Sequence, residues 1–587
     1  MTFEKFIIIS ISFFLFNFNA YGSVGATHPN ELNYRNIGEF IYVHTDRDIY
    51  VAGENIFFKI YLLNSLKKIE IDNSKVAYIV IRNGNQKRII ESRLWLDNKT
   101  GFGSISIPDT LSTGFYQIVA FTNWMKEEFE QDRFTKEIYI VNRFDDNISG
   151  VTNEDLSNKT NIFDSEDYGK DSSGRLNISL PRTIYTQRSK VSLDVLFQTA
   201  DLNDSIADVS ISVMDLNSLL NDNVNNIEEV CRFYKSEKED RRRFINYKSI
   251  ETNGLIVSGR VLDSIGVRIS NQKVFLSTPD TVVNLQYVIT DLDGTFQFML
   301  NNYYEGKTLF LGLLNNNNAK NYRLLIDDKY VCSIPYNPSG NSRGGVPAHY
   351  LKRLQDVATV NKSFEVDFTV NASSNFNYFY CPQLYSVPEY KVYTSDYLLL
   401  NRLDIMLQEM FYGIKINKKD QNSVSIADPL TNQVYDNSFV FLDGVPFFNI
   451  NDIIGYGSDR IKRIEAIHSA WVLDDFLFKG ILSIFTYNSE INNFKNAINH
   501  VVIPAGEYLP RKKFLSPDYS VNVQENRMPD FRQVLYWNPQ VRLDRNNAKE
   551  ITFFTGDLCS DYLIKVEGIS TSGIPLSSSF LIKVVNN

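Results

Sequence analysis

Apolar side chains alternate with polar ones along most of this chain, in short runs broken by Asn, Asp, Gly and Ser. The clearest run spans residues 41–60. Ile41 and Val43 alternate with polar or aromatic neighbours, Asp46-Arg47-Asp48 interrupts, and Gly53-Glu54 turns the chain. Glycine suits such a turn because it accepts backbone angles that other residues resist. Ile56, Phe58 and Ile60 then resume the period-two pattern of a half-buried strand. The same alternation predicts strands over 76–81, 93–96, 103–107 and 115–121, where Tyr116, Ile118 and Ala120 share one face. It recurs over 176–180, 185–195, 208–215, 255–263, 274–277 and 290–298. Helical spacing appears in two places. One is 350–358. In the other, Leu399, Leu403, Met406, Leu407 and Met410 recur, with Ser395-Asp396 as the expected cap and Gly413 as the stop. Strands return at 414–416, 424–426, 439–442, 461–467, 480–486, 551–555 and 562–569.

At 587 residues the chain exceeds what one hydrophobic core holds, so several domains are expected. Hydrophobic residues at 43% and charged residues at 22% suit folded modules rather than disorder. The 33 Tyr and 41 Phe, set among polar turns, favour a mainly β class built of tandem sandwiches. A net charge of −9 argues against nucleic acid as a partner, because phosphate binding needs a basic face. At the N-terminus, Lys5, an apolar run over 6–18 and Ala20-Tyr21-Gly22 have the form of a signal peptide, expected over 1–22. The run is short for a bilayer span, and no cysteine follows to carry a lipid anchor. The expected location is therefore outside the cytoplasm: periplasm, outer membrane or cell surface, with no transmembrane segment after signal removal. Cys231, Cys332, Cys381 and Cys559 form no C-x-x-C pair, which disfavours a metal or redox motif and leaves both disulfides and unpaired thiols open.

Four regions carry family resemblances. "YVHTDRDIYVAGENIFFKI" at 42–60 and "LSTGFYQIVAFTNWM" at 111–125 resemble the start and end of a macroglobulin-like (MG2) sandwich of Bacteroidota envelope proteins, which implies such a domain over 38–143. Residues 144–174 are rich in Asn, Asp, Ser and Gly and are expected to be a linker. Residues 175–250 repeat the strand-turn-strand pattern and are expected to form a second macroglobulin-like sandwich, with the mixed-charge run 235–243 as a solvated insert. "GLIVSGRVLD", "VFLS" and "TDLDGTFQF" resemble a carboxypeptidase-regulatory-like sandwich over 254–328. The order helix, "FLDGVP", "IKRIEAI", "GILSIFT" over 390–490 resembles the plug domain of TonB-dependent outer-membrane receptors. Its glycine-rich turn is reduced to Phe478-Lys479-Gly480, and the chain beyond it is too short for a receptor barrel. "PDFRQVLYWNP" and "DYLIKVEG" resemble the last sandwich of the same multidomain proteins, expected over 500–587 with Trp537 as a core or inter-module anchor.

Reactive chemistry is not legible. His28, His44, His349, His468 and His500 are scattered, with no H-E-x-x-H, and neither a G-x-S-x-G elbow nor a phosphate loop occurs. None of the cysteines lies in the C-G-E-Q thioester motif of protease-trapping macroglobulins. Asp291-x-Asp293-Gly294 reads as a turn, since it lacks the further ligands of a calcium loop. Asp46, Arg47 and Glu54 read as a turn with local ion pairs. No catalytic, cofactor or metal residue is assigned. The resemblances imply a non-enzymatic binding or scaffolding protein at the outer membrane with an envelope protein as partner. The alternative is an accessory subunit of a TonB-dependent uptake or secretion complex, touching a barrel in trans.

Overall fold

The computed structural model describes residues 39–64, 73–128, 133–145, 151–152, 174–220, 226–237, 249–314, 322–331, 335, 346–364, 369–371, 381–397, 400–417, 423–494, 500–520 and 528–586. The expected signal peptide 1–22, His28, Cys332, Leu399, most of the 144–174 linker and residues 238–243 of the charged insert lie outside them. The described part is mainly β.

The first sandwich forms where the alternation is strongest. Its strands Glu39–Thr45, Asn55–Asn64 and Thr100–Ser106 make one antiparallel sheet. The facing sheet runs Ile49–Val51, Phe134–Val141, Gly114–Phe121, Val76–Asn83, Arg88–Trp95 across its width. Ile41, Val43, Ile56, Phe58, Ile79 and Ile118 point between the sheets, as period two requires. A short helix, Asn123–Glu128, follows and buries Trp124 and Met125. One extended core serves this sandwich and the module after it, and includes Val257, Phe296, Leu309 and Tyr508 as well. Arg93 fastens the junction: its guanidinium donates to the backbone oxygens of Ala505 and Gly506 and lies 4.7 Å from the centre of the Tyr508 ring.

The expectation of separate sandwiches over 175–250 and 500–587 is corrected here. Leu176–Ser179, Lys190–Phe197 and Ala548–Phe554 form one sheet. Ile184–Thr186, Pro575–Val585, Asp561–Ser570, Ile206–Asp215 and Val534–Asp544 form the other. Ser192 stands opposite Thr552, and Val209 lies between Val541 and Gly568. The physical reason is coverage. Val209, Ile211 and Val213 are fully buried on a central strand, and the four strands between 176 and 215 are too few to flank it and roof it. The returning C-terminal strands complete both layers, so the chain from about 220 to 530 is an insertion into this sandwich.

Within the insertion, Leu255–Asp263 pairs with Thr295–Leu300 and Tyr322–Ile326. Lys273–Ser277 pairs with Gln286–Ile289 and Thr308–Leu313. The second of these sheets is finished by Val501–Pro504, so the first strand of the expected C-terminal module belongs here instead. Gly254 opens the module at φ +147°, and a Cβ there would lie 1.8 Å from the Leu300 carbonyl oxygen. Over 390–490 a five-stranded mixed sheet carries a long hairpin, Ile461–Leu473 with Phe476–Thr486. The helix there is Leu403–Met410, shorter than its spacing implied. Ser395-Asp396 sit in a separate 3-10 turn rather than at its N-cap, because Arg402 takes extended angles and Leu403 N–H is held by the Ile454 carbonyl. The helix predicted at 350–358 runs Ala348–Ser363. At the 144–174 linker, Val151–Thr152 pairs in parallel with Val346–Pro347, so that stretch also contributes to a sheet.

Candidate functional site

A cleft of about 540 Å³ opens where the first sandwich, the interleaved sandwich and the Ala348–Ser363 helix meet. One wall is the turn region of the first sandwich, with Asp46, Arg47, Gly53 and Glu54. Another is the C-terminal half of the helix, with Val357, Ala358, Asn361 and Lys362. The third combines residues 531–534 with a two-stranded ribbon, Thr369–Asn371 against Lys512–Phe514. Its volume falls in the range of sites that hold a small ligand or a few residues of peptide.

The turn residues are built for the sheet edge first. Ile49–Val51 is an edge strand, hydrogen-bonded on one side to Phe134–Val141. Its other side is capped by side chains: Arg47 Nε donates to Ile49 O at 3.0 Å, and Val51 N donates to Glu54 Oε2 at 2.8 Å. The two caps pair with each other at 2.5 Å. Unpaired edge groups invite another strand, and this clip closes them. Asp46 Oδ1 accepts from Tyr50 Oη at 2.9 Å and from Phe57 N at 3.0 Å, which ties the turn to the next strand. Burial pushes the Asp46 carboxyl up to about 6, against the pull of the neighbouring Arg47. The turn with local ion pairs read from the sequence is thus present, and the same residues also form a cleft wall.

The two sandwiches are joined by polar contacts that are buried or part-buried. His44 Nδ1 lies 2.6 Å from Ser210 Oγ, Tyr61 Oη donates to Glu567 O at 2.7 Å, and Lys59 pairs with Asp208 at 2.7 Å. Burial lowers Lys59 to about 8 and holds His44 neutral. Trp537 is buried with its ring 5.2 Å from that of His44, which makes it an inter-module anchor. The helix is fixed by Arg353, 2.6 Å from the fully buried Asp215.

The remaining sequence candidates lie elsewhere and apart. Asp291 accepts from the N–H groups of Asp293 and Thr295, so its carboxylate is used by the turn itself. His468 Nε2 contacts Tyr412 O, and His500 Nε2 contacts Pro446 O. His349 is exposed on the helix. Among the described residues no disulfide joins Cys231, Cys381 and Cys559, and no group of three His, Cys, Asp or Glu side chains is placed to hold a metal ion. Arg143, Lys362 and Asp109 line the cleft without any sequence signal, since each stands in a stretch with no motif around it.

No family model matches the chain, and no curated protein matches it. Solved structures that align include the α2-macroglobulin of Escherichia coli activated by porcine elastase. It is 10% identical, with 94% of this chain and 44% of that one covered, and a TM-score of 0.24. The trypsin-activated form gives 9% identity, 95% and 42% coverage, and 0.23. A CARDB domain from Pyrococcus furiosus in complex with di-metal ions aligns with 19% of this chain and 98% of its own, at 13% identity and 0.15. The chain spans less than half the length of those macroglobulins. With scores this low, the sandwich assignment rests on the sheets themselves.

Proposed function

We propose that this chain is a non-enzymatic binding or scaffolding protein of the cell envelope, acting at the outer membrane. One observation carries the reading: the modules are interlocked. The sandwich that begins at Leu176 is completed by strands ending at Val585, and a shared core joins the first sandwich to the inserted module. Such a body presents clefts and sheet edges in fixed relation, which suits holding a partner. Crosslinking in intact cells, followed by identification of the attached proteins, tests it. Recovery of one or a few envelope proteins is the expected result. Recovery of none, together with turnover of an added substrate by the purified chain, contradicts it.

A second reading, contact with a barrel in trans, draws on the 390–490 module and the turn before it. Val387, Tyr412, Leu430 and Val472 are exposed there at 78%, 79%, 90% and 61%. Apolar side chains this open on one module favour a covering partner. Pull-down from detergent-solubilised outer membrane separates the readings, because only the second expects a barrel to be retained.

A further inference from the structure

We propose that the cleft holds an extended acidic segment of a partner protein, with carboxylates on Arg143, Lys362 and Lys512 and apolar side chains on the floor. The proposal rests on the binding reading above and names the chemistry of the bound chain. The charges decide the class. Arg47 is taken by Glu54, and Arg532 pairs with Asp530 at 3.1 Å while donating to Phe554 O. That removes two of the four lining cations from ligand binding. Arg143 packs its guanidinium over the Phe144 ring at 4.6 Å, and Lys362 is exposed near the helix end. Neither has a carboxylate partner among the described residues. Lys512, on the strand face of the lining Phe514, adds a cation beside the lining Asn55, and among the described residues its Nζ reaches only the neutral oxygens of Asn55 and Ser106, both at 3.4 Å. Against these, among the described residues, stands Asp109, the one lining carboxylate beyond the Asp46–Arg47–Glu54 clip. In a chain of net charge −9, this mouth is a local reversal of sign.

Shape argues for a peptide. Val51, Ala52, Phe57, Val357, Phe514 and Val534 provide an apolar floor between the basic positions. Along one wall runs the ribbon of Thr369–Asn371 and Lys512–Phe514, two strands wide among the described residues. A two-stranded ribbon is marginal alone and gains from a third strand, which an extended peptide supplies with its backbone. Alternate side chains of that strand would then face the floor and the basic rim in turn.

The test uses the full chain and a fluorescein-labelled peptide of alternating Leu and Asp, followed by anisotropy at about 50 and about 300 mM NaCl. A Leu–Lys peptide and dodecanoate serve as the other probes. We expect saturable binding of the acidic peptide, weakened by salt, and weakened about tenfold by the double change R143E and K362E. R143Q with K362Q should give a smaller loss in the same direction, and K549E, on the interleaved sandwich away from the cleft, should give none. Circular dichroism melting of each variant shows whether it folds. The proposal is overturned if the Leu–Lys peptide binds as well, if the charge changes leave affinity within about twofold, or if dodecanoate binds the cleft and the acidic peptide does not. Capture of an envelope partner by crosslinking alongside any of those results would overturn this assignment alone and leave the binding reading standing.

Discussion

Arg47 and Glu54 show how one pair of side chains does structural duty in a motif that looks like a site. Their pairing caps the Ile49–Val51 edge, and removing one partner leaves the other's charge half-buried and the edge groups open. Arg47→Ala should cost about 2–3 kcal/mol, discounted for the partial exposure of Glu54. The urea midpoint measures it, and an unchanged midpoint would mean the clip is idle. The sequence supports the turn and the ion pairs here, because the residues are close along the chain. It is silent on Arg143 and Lys362, whose place in the cleft depends on contacts far away in sequence. Glu251 gives a pH prediction. It is buried, accepts from Tyr78 Oη and Ile256 N, and desolvation raises it to about 7. A carboxyl raised on folding binds its proton more tightly in the native state, so its contribution is full below about 4.5 and is lost as pH rises through 7. Burial raises Glu39 and Asp46 in the same sense. Between pH 5 and 8 these carboxyls pull stability down, while His44 and His500, lowered by burial, pull it up, so the test is the difference between chains: Glu251→Gln should remove a falling contribution on the order of 2–3 kcal/mol. Denaturant melts at the two pH values check it, and a parallel slope in the variant contradicts it.

At the scale of elements, alternation located strands well and partners poorly. Val76–Asn83, Leu255–Asp263 and Ile206–Asp215 fall where the period-two runs placed them. Which strand lies beside Ile206–Asp215 does not follow from its own pattern, since period two fixes a face and leaves the neighbour open. That is why a sandwich interrupted by a long insertion looked like two. Helix ends were also weakly encoded: Ser395-Asp396 has cap chemistry, yet the chain turns there and starts its helix at Leu403. The pairing makes a prediction. A chain ending at Pro504 should lose slow amide exchange over Lys190–Phe197 and Ile206–Asp215. Retained protection in both segments would mean the N-terminal strands form a sandwich unaided.

For the whole molecule, interleaving changes what kind of object this is. Strands exchanged across the insertion, a core continuous between modules and half-buried pairs such as Lys59–Asp208 join segments that independent domains would leave separate. Their unfolding should be coupled, with Trp537 and His44 at one of the joints. Trp537→Ala should therefore lower stability by about 3–5 kcal/mol and shift the melting of both adjoining sandwiches together. Calorimetry would show this as one displaced transition, whereas a shift in one of two separate transitions would contradict the coupling. The most direct measurement of the interleaved sandwich is a disulfide. Ser192 and Thr552 stand opposite each other in neighbouring antiparallel strands, where Cα atoms lie about 4.5–5.5 Å apart. With the four native cysteines changed to Ser, Ser192→Cys with Thr552→Cys should oxidise quantitatively within one chain, seen as a linked peptide pair by mass spectrometry. Both thiols remaining reduced under the same oxidant, in a chain that is otherwise folded, would contradict the account.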